Sequence, residues 1–202
     1  TRGELEKAEE MYRKALEIEE KLGRLEGMAS AYGGLGLIYK TQGELEKAEE
    51  MHRKSLAIDE KLGRVEGMAN AYGNLGLIHE TRGELEKAEE MLRKSLAINE
   101  KLGRVEGMAI TYGNLGVIYQ TRGELEKAEE MQRKGLAINE KLGRLEGMAI
   151  NYANLGIVRK QRGDLAGARE CWGKSQELYA KMGLGQKVKE VEGLLEELEE
   201  GK

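Results

Sequence analysis

No proline interrupts this 202-residue chain, no phenylalanine occurs in it, and its single cysteine is Cys171. One thiol excludes an internal disulfide framework and fits a reducing, cytoplasmic compartment. Aromatic residues make up only 4%, too few for a thick aromatic core. Apolar runs reach a few residues and fall far short of a membrane span, and no charged-then-apolar leader opens the chain. A surplus of one charge is missing too. The formal net charge is -4 with both signs interleaved, so no basic stripe offers itself to phosphates and no nucleic-acid partner is expected.

What the chain has is charge and glycine, in register. Charged residues account for 35%, and the 28 glycines recur at fixed phase. Copies of forty residues begin at Thr1, Thr41, Thr81 and Thr121 and align without a gap, and a diverged fifth begins at Gln161. Each copy holds a block of the type Ala71-Tyr72-Gly73-Asn74-Leu75-Gly76-Leu77-Ile78.

Two helical patterns alternate. A charged one starts at Gly83 and puts Leu85, Ala88, Met91, Ser95, Leu96 and Leu102 on one stripe. Glu89 with Arg93 and Glu90 with Lys94 stand four apart on its outer face, and Glu84 and Glu86 fall in its first turn. Gly103 stops it. A glycine-rich pattern runs from about Val105 to Thr121, with Met108, Tyr112, Leu115, Gly116 and Tyr119 on one face. At 1.5 Å per residue each rod is roughly 25 Å long. The short links require antiparallel neighbours. Gly76 with Ala88, and the pairs Gly36–Ala48, Gly116–Ala128 and Gly156–Ala168, mark where two backbones would cross closely.

The unit Tyr72-x-x-Leu75-Gly76-x-x-His79-x-x-x-Gly83-x-x-x-x-Ala88 resembles the tetratricopeptide repeat (TPR), and its forty-residue period is similar to the LGN/Pins-type scaffold repeats. The closing proline of that family is replaced here by Glu100. The resemblance implies an all-α, right-handed superhelical solenoid of antiparallel helix pairs, with pairs at 25–64, 65–104, 105–144 and 145–184. Residues 1–24 would then be an orphan charged helix, and residues 185–202 a capping helix built on Val188, Val191, Leu195 and Leu198. The orphan leaves Leu5, Ala8, Met11, Tyr12 and Ala15 uncovered, as expected if the chain is a fragment of a longer array or if this end self-associates.

Within that frame the glycine-rich helices line an inner groove. Repeat columns Ser30–Asn70–Ile110–Ile150, Gly33–Gly73–Gly113–Ala153 and Lys40–Glu80–Gln120–Lys160 would face it, varying in polarity while packing columns such as Leu35–Leu75–Leu115–Leu155 stay constant. Asn74, Asn114 and Asn154 are candidates to hold a peptide backbone, because a carboxamide both donates and accepts; in the resembled family asparagine serves that purpose. Each could equally bond a neighbouring helix end. Gly73 and Gly113 would let a ligand approach, Ile110 and Ile150 would seat an apolar side chain, and Lys40, Glu80, Gln120 and Lys160 would set charge register.

No catalytic, metal or cofactor group emerges. His52 and His79 lie in different columns and need further ligands to hold a metal. Cys171 replaces a core methionine, and Trp172 is expected beneath the last helix. The carboxylates sit in solvated ladders. A protein-interaction scaffold holding a partner peptide is the reading, with a self-associating repeat as the alternative. Neither an enzyme nor a membrane protein is expected.

Overall fold

Glycine sets the ends of the rods. The computed structural model describes residues 2–200, and the side chains of residues 3–198; Thr1, Gly201 and Lys202, at the outer ends of the two terminal segments, lie outside the described residues. Among these there are ten α-helices and no strand. They are α1 (Arg2–Leu22), α2 (Leu25–Gln42), α3 (Leu45–Leu62), α4 (Val65–Thr81), α5 (Leu85–Leu102), α6 (Val105–Thr121), α7 (Leu125–Leu142), α8 (Leu145–Gln161), α9 (Leu165–Lys181) and α10 (Gly185–Glu200). A glycine with positive φ stands in every link, from Gly23 to Gly183. At Gly63 (φ 66°) the reversal lets the Gly63 N–H donate to Glu60 and the Arg64 N–H to Asp59, satisfying carbonyls that the end of α3 would orphan. Gly83 uses its left-handed turn (φ 74°) before α5 can begin. The charged helix therefore starts at Leu85, two residues later than its pattern, and Glu84 lies outside its first turn. There the Glu84 carboxylate accepts from Lys87 at 3.0 Å and pairs with His79 Nδ1 at 2.8 Å.

The chain divides into two compact units, Thr1–Leu102 and Gly103–Lys202. In the first, glycine-rich α2 and α4 pack most extensively on charged α3 and α5, and α1 lies on α2. Leu35, Tyr39, Ala48 and Ile78 form its core with Leu16, Leu45 and Met51 around them. In the second unit α6 packs on α7, α8 on α9, and α10 on α9. Its core has one cluster of Leu136, Leu155 and Cys171, and another of Ala149, Ala168, Trp172, Tyr179, Val191 and Leu198.

The close crossing inside each pair is filled differently from the simple backbone approach of Gly76 to Ala88. A Cβ on Gly76 would lie 2.7 Å from Leu92 Cγ as well as 3.3 Å from the Ala88 carbonyl. The glycine is thus the socket for the Leu92 side chain. The same socket receives His52 at Gly36, Gln132 at Gly116 and Trp172 at Gly156. One constant glycine tolerates four different plugs, because the missing side chain leaves depth that each fills in its own way.

Two polar devices repeat around this crossing. Tyr72 donates to Glu60 on the preceding charged helix at 3.3 Å, while the Lys94 ammonium of its own pair sits 5.6 Å over the ring. Tyr32 uses Glu20 and Lys54 in the same way, and Tyr152 uses Glu140 and Lys174. One phenol thereby ties three helices. Ser55, Ser95 and Ser175 donate to the Ala29, Ala69 and Ala149 carbonyls at 2.8–2.9 Å. A small hydroxyl at that phase satisfies a carbonyl inside the crossing without adding width.

His52 is the one plug that titrates. It is 1% exposed, its Nε2 has no hydrogen-bond partner, and burial, assisted by the nearby Lys40 charge, lowers its pKa to about 4. The unfolded chain therefore takes up a proton near pH 6.5 that the folded chain refuses until about pH 4. Stability from this residue is complete above pH 6.5 and falls as pH drops through that window. The loss amounts to about 3 kcal/mol. His52→Leu, which copies Leu92, is expected to flatten the urea-melt stability between pH 7 and pH 4.5 relative to the parent. An unchanged slope would show that His52 is protonated without cost.

Candidate functional site

In the first unit the strip of α4 left to solvent is narrower than its helical wheel suggests. Gly76 receives Leu92 and Tyr72 lies under Lys94, both on α5, and Leu75 and His79 are buried, but Ala69, Ala71 and Ile78 are buried as well. The helix is pressed from two sides, since α3 and α5 both pack on it. Asn70 and Thr81 are exposed, whereas Gly73, Asn74, Leu77 and Glu80 are half-buried. A Cβ at Gly73 would meet Ser95 Oγ at 3.5 Å, an ordinary contact. Gly73 thus lies half-buried, within ordinary contact of the neighbouring charged helix. Lys40 on α2 and Glu80 on α4 are near enough to act on one another electrostatically. Burial raises the Glu80 carboxyl above its ordinary pKa, and Lys40 offsets part of that.

In the second unit α6 and α8 lie side by side. Ile110 on α6 is 52% exposed and Ile150 on α8 is 44% exposed. Asn114, Asn154 and Gln120 are half-buried on the same two helices. Among the described residues nothing hydrogen-bonds the carboxamides of Asn74, Asn114 or Asn154. At Gly113, which is half-buried, a Cβ would lie 3.6 Å from Asn151 Nδ2, and the Gly113 carbonyl accepts from Gln132 Nε2 at 2.8 Å. Lys160 is not a free member of its column. Its ammonium bonds Glu197 of α10 at 3.1 Å and lies 5.8 Å over the Trp172 ring. The reading of α10 as a cap left this partner unnoticed.

A buried polar chain in the second unit also escaped the sequence reading. Asn139 Nδ2 donates to Asn151 Oδ1, and Asn151 Nδ2 donates to Gln132 Oε1, both at 2.8 Å; Gln132 then reaches the Gly113 carbonyl. Gly135 replaces the usual serine here, and a Cβ on it would stand 3.1 Å from both Asn151 Nδ2 and the Ala109 carbonyl. Three simultaneous departures, Ala to Asn151, a plug to Gln132 and Ser to Gly135, were the available signal. None means anything alone, because a lone polar residue at a core phase gives no hint of its partner.

Arg133, Arg159, Arg162, Glu129 and Asp164 line a cleft of about 440 Å³ on the same unit. Its cations are already answered. Glu129 pairs with Arg133 at 2.6 Å and with Arg162, and Arg159 donates to the Gly167 carbonyl at 3.3 Å. The cleft is therefore a knot of internal ion pairs. Cys171 is buried beside it, and burial raises its thiol pKa, so the neutral form prevails. Among the described residues no helix is long and apolar enough to cross a membrane.

Known structures share this arrangement of helix pairs. BtubC (BKLC) from P. vanneervenii superposes with a TM-score of 0.80 at 28% identity, over 90% of this chain and 76% of that one. A Podosopora anserina kinesin-light-chain candidate with nearly identical TPR-like repeats gives a TM-score of 0.69 at 23% identity, covering 90% of each chain. MamA gives 0.63 at 25% identity, over 91% of this chain and 93% of that one. No curated protein sequence matches the chain. The fold is thus all-helical and TPR-like, and such repeats are in general protein-interaction scaffolds. A model of the MalT-like TPR region matches residues 2–192, and the chain belongs to that family.

Proposed function

We propose that the chain is a scaffold that holds an extended peptide of a partner protein along the open strips of its glycine-rich helices. The observation that carries this is the pair Ile110 and Ile150. Two large aliphatic side chains about half exposed on adjacent helices are costly to leave in water, by roughly 25 cal/mol per Å² of apolar surface. They stand at a column that is Ser30 and Asn70 elsewhere. Asn114 and Asn154 lie beside them with uncommitted carboxamides, able to donate to and accept from a backbone whatever its side chains. Within the first unit Asn70, Asn74, Lys40 and Glu80 offer polar contacts of the same kind, and within the second Gln120 adds a neutral one. The similarity of the forty-residue unit to LGN/Pins-type scaffold repeats supports the same use.

A peptide library selected on the intact chain tests this. Binders with an apolar anchor are expected to lose at least about tenfold in affinity on Ile150→Glu, and similarly on Asn114→Ala with Asn154→Ala. Helicity should stay unchanged, since Ile150 is about half exposed and the two carboxamides make no hydrogen bond among the described residues. Selected binders that hold equally well to both variants would refute the strip as the binding face.

A further inference from the structure

Helices α5 and α7, of 18 residues each, differ at only two positions: Leu92 against Gln132, and Ser95 against Gly135. Both differences fall in the buried polar chain, and both face Asn151 of α8. Gln132 is fully buried and accepts from Asn151 Nδ2 at 2.8 Å. Gly135 leaves the room which that amide occupies, since a Cβ there would stand 3.1 Å from Asn151 Nδ2. Asn139, which α5 matches with Asn99, donates to Asn151 Oδ1. Nothing else in α7 itself distinguishes it from α5 for a glycine-rich helix that comes to pack on it.

Copies this alike carry a hazard in folding. A glycine-rich helix that docks one copy out of register buries nearly the same apolar surface and loops forty residues out of the array. The polar chain penalises that error from both sides. Set on α5, Asn151 would bring its Nδ2 against the apolar Leu92, with Ser95 in the space that Gly135 leaves, so a buried amide would lose its acceptor. Set on α3, it would meet His52 and Ser55. Conversely, α2 and α4 bring Ala31 and Ala71 to the phase of Asn151. Either alanine seated on α7 would leave Gln132 Oε1 and Asn139 Nδ2 buried without partners. Only α8 on α7 answers both ends of the Asn151 carboxamide. Polar groups at core phases add little net stability, but they discriminate sharply between correct and incorrect neighbours.

We infer that Gln132, Gly135 and Asn151 are a pairing key: among α3, α5 and α7 they admit α8 to α7 alone, and so hold near-identical copies in register while the chain folds.

Refolding of the full chain from urea, read by pulse-labelled hydrogen exchange and mass spectrometry, tests the key. Gln132→Leu with Gly135→Ser turns α7 into a copy of α5 and is expected to lower the urea midpoint, because Asn151 loses its acceptor and its room. Adding Asn151→Ala should return the midpoint to the parent's value or above it. That triple variant is stable but unkeyed. During refolding it should show at least about tenfold more molecules than the parent in which α5 and α8 are protected while residues 105–142 exchange freely, the mark of a slipped copy. A slipped fraction no larger than the parent's overturns the inference. So does a triple variant whose midpoint stays below the parent's, since the polar chain would then serve stability. A double variant as stable as the parent overturns it too, because Asn151 would then not depend on Gln132 and Gly135.

Discussion

Trp172→Ala is expected to lower the unfolding free energy by about 3–5 kcal/mol. The ring is fully buried, fills the Gly156 socket, and bonds the Ala153 carbonyl through Nε1 at 3.0 Å. It touches the cluster that holds Val191 and Leu198 of α10, and Lys160 lies over its face. Truncation opens a cavity that α8 cannot close, because Ala168 and Ala149 beside it are already packed tight. The loss should also loosen α10, whose apolar side rests on the same cluster. Urea melts measure the first effect, and limited proteolysis in the Met182–Leu184 link measures the second. A loss below 1 kcal/mol with no new cleavage would mean that the tryptophan contributes little to either.

Gly76→Leu should cost about 3 kcal/mol or more, in spite of a helix propensity that favours leucine by up to about 1 kcal/mol. A Cβ at 2.7 Å from Leu92 Cγ and 3.3 Å from the Ala88 carbonyl has nowhere to go unless α4 and α5 separate. Leu92→Ala empties the plug and should restore part of that loss. The two changes are expected to couple by more than about 1 kcal/mol in a double-mutant cycle. Strict additivity would show that the leucine clashes with something other than its plug. The cycle thus tests the socket itself, where a single substitution would report only damage.

Much of this molecule could be read before any coordinate. The forty-residue register, the alternation of two helix types and the stop at Gly103 followed from spacing, because a glycine at the end of an amphipathic run has one low-cost reading. The burial of Cys171 followed from its column. The constancy of Gly36, Gly76, Gly116 and Gly156 pointed to a close crossing, but not to what lies in it. A helical wheel has only one buried face, so it hid the second face of α4 formed by Ala69, Ala71 and Ile78.

Local pattern alone determined that this chain is helical, repeated and antiparallel in its pairs, since periodicity, end glycines and link lengths act within a few turns. Packing between helices decided the rest. Which side chain plugs each glycine, how Gln132, Asn139 and Asn151 satisfy one another, and that Lys160 answers Glu197 all depend on residues twelve to forty positions apart. Such contacts leave no periodic trace, because each is specific to one pair of copies.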